Sequence, residues 1–154
     1  MLFRSAHFNL ARLGASAGHY VENMYGLRTD ALNAGVPTDR LIAEWETAGN
    51  AVVLVLPHDL LTVPRLIEIE QGRGGLPGVP LGLRKTAFRS RHVLLEIPSD
   101  IGQLRREKPE LAEQWRSAVG RAFQAAFAAG YRAVHFVRDD SAGHRRSFYV
   151  LERV

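Results

Sequence analysis

Hydrophobic and polar positions along the chain follow two periods, and the breaks between them fall at glycine and proline. Leu111, Trp115, Ala118, Val119, Ala122, Phe123 and Ala126 recur at steps of three and four, with Glu113, Gln114, Arg116, Arg121 and Gln124 largely opposite. That pattern predicts the longest helix, opened by Pro109, whose missing N–H costs nothing there, and stopped by Gly130. Ser99 and Asp100 precede it as N-cap candidates, and Asp100 with Gln103 has capping-box spacing for a short helical turn ending near Lys108. Ala6 to Leu13 also reads as helix, with Gly14 placed for a left-handed stop.

Other stretches read as strands. Ala15 to Tyr25 is partly alternating until Gly26, and Arg40 to Trp45 is strand-like after the turn residues Gly35-Val36-Pro37. Ala51 to Leu56 is a short apolar run closed by Pro57, and Leu66 to Glu70 alternates. Val93, Leu95 and Ile97 alternate with His92, Leu94 and Glu96 up to Pro98. Tyr131 to Val137 and Ser147 to Leu151 flank a hairpin loop from Asp139 to His144. The simplest assembly of this second half is a parallel pair bridged by the long helix, with an antiparallel neighbour added by the hairpin. Gln71 to Leu83, with five glycines and two prolines, reads as a connector and is the best candidate for a mobile loop. Arg84 to His92 is the most basic window and reads as a solvated lead-in to the next strand.

Composition narrows the chemistry. At 154 residues, 46% hydrophobic and 23% charged, the chain has the make-up of a folded domain. Its formal charge is +4, and Lys85 and Lys108 are the only lysines. The arginines are scattered without aromatic interleaving, which argues against nucleic acid as a partner. No cysteine is present, so disulfides, thiolate catalysis and cysteine-based zinc sites are excluded. No apolar run reaches membrane-spanning length and no secretory signal is visible, so no membrane partner and a cytoplasmic location are expected. His7, His19, His58, His92, His135 and His144 show no metal-binding spacing, and there is no Gly-x-Ser-x-Gly elbow.

The run AHFNLARLGA, followed by YVENMYG and LNAGVPTDRLIAEW, resembles the closing part of a GNAT-superfamily N-acyltransferase, in a subgroup acylating amino acids. VLLEIPSDI and AAFAAGYRAVHFV extend the likeness distantly over most of the chain. The resemblance implies an α/β (α+β) fold. An incomplete GNAT-like mixed sheet, made of a helix and closing antiparallel strands over residues 6–50, is followed by a strand-helix-strand-strand region over 51–154. It implies transfer of an acyl group from acetyl-CoA or succinyl-CoA to an amine such as an amino acid, with no metal. Asn9 and Arg12 lie on the helix that flanks the coenzyme in that family. The usual tyrosine acid falls on Leu10, which leaves Tyr25, alongside Tyr20, as a substitute. Glu44 stands where a base would sit, either functional or paired with Arg40.

The Q/R-x-x-G-x-G/A loop that holds the coenzyme pyrophosphate in that family is absent from the sequence; Gln71 to Gly78 runs into prolines instead of a helix. Leu2-Phe3-Arg4-Ser5 is what CTC TTC CGA TCT encodes, the end of a common sequencing adapter. Residues 1–5 are therefore expected to be non-native, with Met1 not the true start and the gene extending upstream. On that expectation the chain by itself is inactive and does not bind the acyl donor. The alternative is a stand-alone binding or dimerisation module on a GNAT-like scaffold, with a homodimer as the partner state.

Overall fold

The computed structural model describes residues 5–26, 37–46, 59–70, 72, 77–140 and 145–154. The strand expected over Ala51 to Leu56, His58, Met1 to Arg4, much of the glycine-rich stretch and the tip of the last hairpin lie outside them. The chain is α+β, with helices packed on antiparallel sheets. Seven strands are described: β1 (Ser16–Val21), β2 (Arg40–Glu44), β3 (Ile67–Ile69), β4 (Pro80–Leu83), β5 (His92–Ile97), β6 (Tyr131–Asp139) and β7 (Arg146–Arg153). Helix α1 covers Ile101–Glu107 and α2 covers Pro109–Ala128. The main sheet has the order β2-β1-β6-β7-β5, and β3-β4 form a two-stranded sheet.

β5 and β6 both run antiparallel to β7, which lies between them. The helix-bridged strands therefore do point the same way, but they are separated by the strand the hairpin returns. Among the described residues every pairing within the two sheets is antiparallel. Val93, Leu95 and Ile97 join the core beneath α2, whereas Leu94 belongs with Val63, Phe148 and Val150 in a smaller cluster. Since successive strand residues face opposite ways, the two clusters lie on opposite faces of the sheet. The outer edge of β5 is covered by a short parallel bridge from Arg65, where the Leu66 N–H reaches the Leu94 carbonyl at 2.8 Å.

Helix α2 buries Trp115, Val119, Ala122, Phe123 and Ala126 as its periodicity predicts. Full burial of the larger of these stabilises by about 2–3 kcal/mol each. Tyr20 of β1 stacks on Phe123 at 5.7 Å between centroids, and Tyr149 meets the same ring edge-on at 5.0 Å. Asp100 caps α1 by accepting the Gln103 N–H at 2.8 Å, while the Gln103 amide turns to Glu107 instead of completing the box. Gly14, Gly26 and Gly130 take positive φ of 66°, 69° and 82°, the left-handed stops expected at the first and last of them. The first helix is a π-helical turn, His7–Arg12, with the Leu13 N–H bonded to the Phe8 carbonyl five residues back. This wider coil sets Ala6, Leu10 and Ala15 together in the core.

The structure departs from the sequence pattern in two places. The end of the glycine-rich stretch is strand β4, because it pairs with β3 and lies against α2, and Leu83 packs on the core. Arg84 to His92 is no plain lead-in: Lys85–Arg89 forms a 3-10 turn that buries Ala87. No helix among the described residues is long and apolar enough to cross a membrane.

The β3-β4 hairpin is held by close backbone approach. The Trp115 indole N–H donates to the Gly78 carbonyl at 2.9 Å, and a Cβ on Gly78 would lie 1.5 Å from the Glu70 carbonyl oxygen. Gly78→Ala is therefore expected to push the hairpin off α2 and cost at least about 2 kcal/mol. Urea unfolding followed by tryptophan fluorescence checks this; a midpoint equal to that of the unsubstituted chain would contradict it.

Candidate functional site

On the sheet face away from α2, three strands bring charged groups together. β1 and β2 pair with Ser16 opposite Glu44 and His19 opposite Ile42, and a bulge falls between Ala17 and His19. Bulges re-aim side chains, and here Gly18 sits in the bulge. A Cβ on Gly18 would come within 3.2 Å of the Arg132 guanidinium, so the glycine lets Arg132 of β6 lie across β1. Arg132 donates to the Ser16 hydroxyl at 3.1 and 3.3 Å and to Oε2 of Glu44. Oε1 of Glu44 accepts from Nδ1 of His19 at 3.2 Å.

Glu44 thus bridges a guanidinium and an imidazole. The hydrogen bond from Arg132, then that from His19, holds its pKa below the usual carboxylate range. A carboxylate accepting from Nδ1–H fixes the imidazole tautomer with Nε2 as the free base. The His19 side chain is 72% exposed, and among the described residues its Nε2 has no hydrogen-bond partner. The arrangement can take a proton from a group docked on this face.

Glu44 does not pair with Arg40. The Arg40 guanidinium donates to the Asp39 carbonyl at 2.8 Å and lies 5.3 Å from the centre of the Tyr25 ring. Tyr25 is 62% exposed and sits beyond the Val21 end of β1, whereas Glu44 pairs at the Ser16 end. Five residues of strand, roughly 17 Å, separate those ends, so Tyr25 and Glu44 are not brought together. Asn9 and Arg12 lie on the π-helical turn against β6. Asn9 is half-buried, with its carbonyl accepting the Ala15 N–H at 2.9 Å, and Arg12 is exposed. Neither bonds to His19 or Glu44. His135 is kept more acidic by burial and then by His7, which stands edge-on to Phe136 at 6.3 Å. Among the described residues no three His, Asp or Glu side chains gather to hold a metal ion.

The residue that composition and spacing leave unmarked is Asp39, 5% exposed just before β2. Its carboxylate accepts from Arg116 Nε at 2.7 Å and Nη2 at 2.9 Å, from the Tyr20 hydroxyl at 2.8 Å and from the Asn23 N–H at 3.0 Å. Burial works against this charge; the bonds from Arg116, then Asn23 and Tyr20, outweigh it and hold the pKa below its usual value. Burial first, and then the bond to Asp39, push the Tyr20 pKa up, so its hydroxyl stays a donor to Asp39. Thr38 beside it, also buried, takes the Tyr25 N–H at 3.1 Å. A short polar pair at the head of a strand is the available signal, but its partner on α2 is not visible from it.

Searches of protein families, curated proteins and solved structures find no match to this chain.

Because the folded pKa of Asp39 lies below that of the unfolded chain, its contribution is present above the ordinary value of 3.8 and is lost as pH falls through the folded value. Asp39→Asn is expected to cost on the order of 2–3 kcal/mol at neutral pH, with the gap to the unsubstituted protein narrowing once the pH is below 3.8. Urea titrations at neutral and at acid pH check this. A variant of unchanged stability at neutral pH, or a gap that does not narrow in acid, would contradict it.

Proposed function

We propose that this chain supplies the proton-accepting side of an acyl-CoA-dependent N-acyltransferase acting on a small amine such as an amino acid. The observation that carries the reading is the His19–Glu44 pair, anchored by Arg132 on a surface free of the helix. The sequence likeness around it supports the same chemistry. The acyl thioester supplies an activated carbonyl. As the amine nitrogen bonds to that carbon, its proton passes to Nε2 of His19. The imidazolium so formed is stabilised through Nδ1–H by the Glu44 carboxylate. The carbon–sulfur bond then breaks, and the proton released by the imidazolium converts the departing thiolate to the thiol and returns His19 to its base form. Glu44 acts here as a positioning residue, since its lowered pKa makes it the weaker base, and Arg132 fixes its direction. Exposed Arg12 is the cation that the likeness offers to the donor's phosphates.

The second reading, a binding or dimerisation module, is favoured by one feature. Among the described residues β2 pairs with β1 alone, and Trp45 at its end is 48% exposed.

Free-thiol release from acetyl-CoA or succinyl-CoA in the presence of primary amines, in the native polypeptide that carries this sequence, separates the two. Amine-dependent release is expected to fall about 100-fold in His19→Ala and about tenfold in Glu44→Gln, with the KM for donor unchanged. Absence of amine-dependent release from either donor, or a His19→Ala variant of full activity, would overturn the acyltransferase reading.

A further inference from the structure

A second site lies at the other edge of the sheet, three strands and so about 14 Å across from His19. A cleft of about 560 Å³ opens between the β3-β4 hairpin, the end of β5 and the start of α1. That volume suits a small organic ligand. Apolar groups line part of it, among them Ile69, Ile97, Leu104 and Trp115. Its polar part centres on Glu96, whose side chain is 13% exposed. Arg146 grips Glu96 with two bonds, at 2.8 and 2.5 Å. Arg65 stands off the same carboxylate at 3.9 Å, beyond hydrogen-bonding distance. Both guanidinium groups lie over the buried Phe148 ring, at 5.8 Å for Arg65 and 5.0 Å for Arg146.

The remaining charges of the cleft already have roles. Arg145 bonds to Asp140 at 3.0 Å, and Asp100 caps α1. Arg65 is therefore the guanidinium of the cleft with a fork still open, backed by an aromatic face, while Glu96 is held by Arg146 and the Asp139 charge acts on both cations. Burial, and next the Arg146 charge, push the Arg65 pKa down against the opposing pull of Glu96 and Asp139. Glu70 stands exposed at the rim and counts against multiply charged anions. With three guanidiniums and three carboxylates lining it, the cleft carries no net charge to attract a polyanion.

We propose that this cleft binds a small monocarboxylic acid with an apolar aliphatic or aromatic body, the carboxylate received by the open fork of Arg65 and the body lying against the half-buried Ile69 and Pro77. The two oxygens of a carboxylate match the paired donors of a guanidinium, which a single-point amide cannot do. The site is independent of acyl transfer at His19.

Calorimetric titration with hexanoate and benzoate, beside their primary amides and inorganic phosphate, tests this on the full chain. One of the acids is expected to saturate the protein, and its amide to bind at least about tenfold more weakly. Arg65→Gln should weaken the acid by about tenfold while leaving the amide unchanged, and Arg65→Lys, which keeps charge without the fork, should fall between. Glu70→Gln should leave acid binding intact and improve phosphate. Equal affinity for acid and amide, full acid binding by Arg65→Gln, phosphate competing as well as the acids, or no saturation by either acid at millimolar concentration would each overturn the proposal. Thermal melts that match the unsubstituted chain establish that Arg65→Gln remains folded.

Discussion

The bidentate bond between Asp39 and Arg116 is the constraint on which the β1-β2 side of the molecule depends. It joins two points 77 residues apart, the head of β2 and the middle of α2. Tyr20 and the Asn23 N–H add to it from the end of β1, so one carboxylate holds β1, β2 and the helix together. With Asp39 held, the next five residues enter the sheet in one register. A slip of one residue would turn Glu44 to the opposite face, away from His19 and Arg132. The charge is tolerated in a buried place because four donors surround it; removing any of the Arg116 bonds would leave a desolvated anion. The polar group that sets the geometry of the candidate site is thus on the helix-covered side, and the groups that would act are on the open one.

This division between faces organises the rest. The α2 side is packed with Trp115, Phe123 and Tyr149, and Gly120 allows the Tyr20 ring to approach so closely that a Cβ there would lie only 3.1 Å from it. Among the described residues the other face has an apolar patch beneath Leu60 and Val63, around Leu94, Phe148 and Val150, with Val134 and Val137 packed against it. Beyond that patch it carries Ser16, His19, Glu44 and Arg132 on one side and Glu96 with Arg146 on the other. Both polar groups are built across strands, from residues that hydrogen-bonded ladders hold in place. Such placement gives a fixed geometry without a dedicated loop.

Much of the local structure is legible in the sequence, because it follows from short-range rules. The period of Leu111 to Ala126 locates the buried face of α2, and Gly14 and Gly130 mark chain reversals. Asp100 caps where its spacing says it should. What stays hidden depends on partners distant in the chain. Arg116 reads as one more polar residue on the helix, since nothing nearby marks Asp39 as its partner. β4 is masked by Pro80 and Gly82, residues of low strand propensity that pairing with β3 and packing on α2 override. Glu44 can be picked out by its place on a strand, yet its guanidinium lies 88 residues away on β6. His19 stands out in the sequence only for lacking metal spacing. Its partner comes from another strand, so a search of neighbouring positions finds nothing.

The claim that the Asp39–Arg116 bond holds this half of the fold is tested most directly by a double-mutant cycle. Asp39→Asn, Arg116→Gln and the pair together would be compared by urea unfolding at neutral pH. The two single losses are expected to overlap, with a coupling energy of about 2–3 kcal/mol. Strictly additive losses would show that the two side chains stabilise the protein independently, and would contradict it.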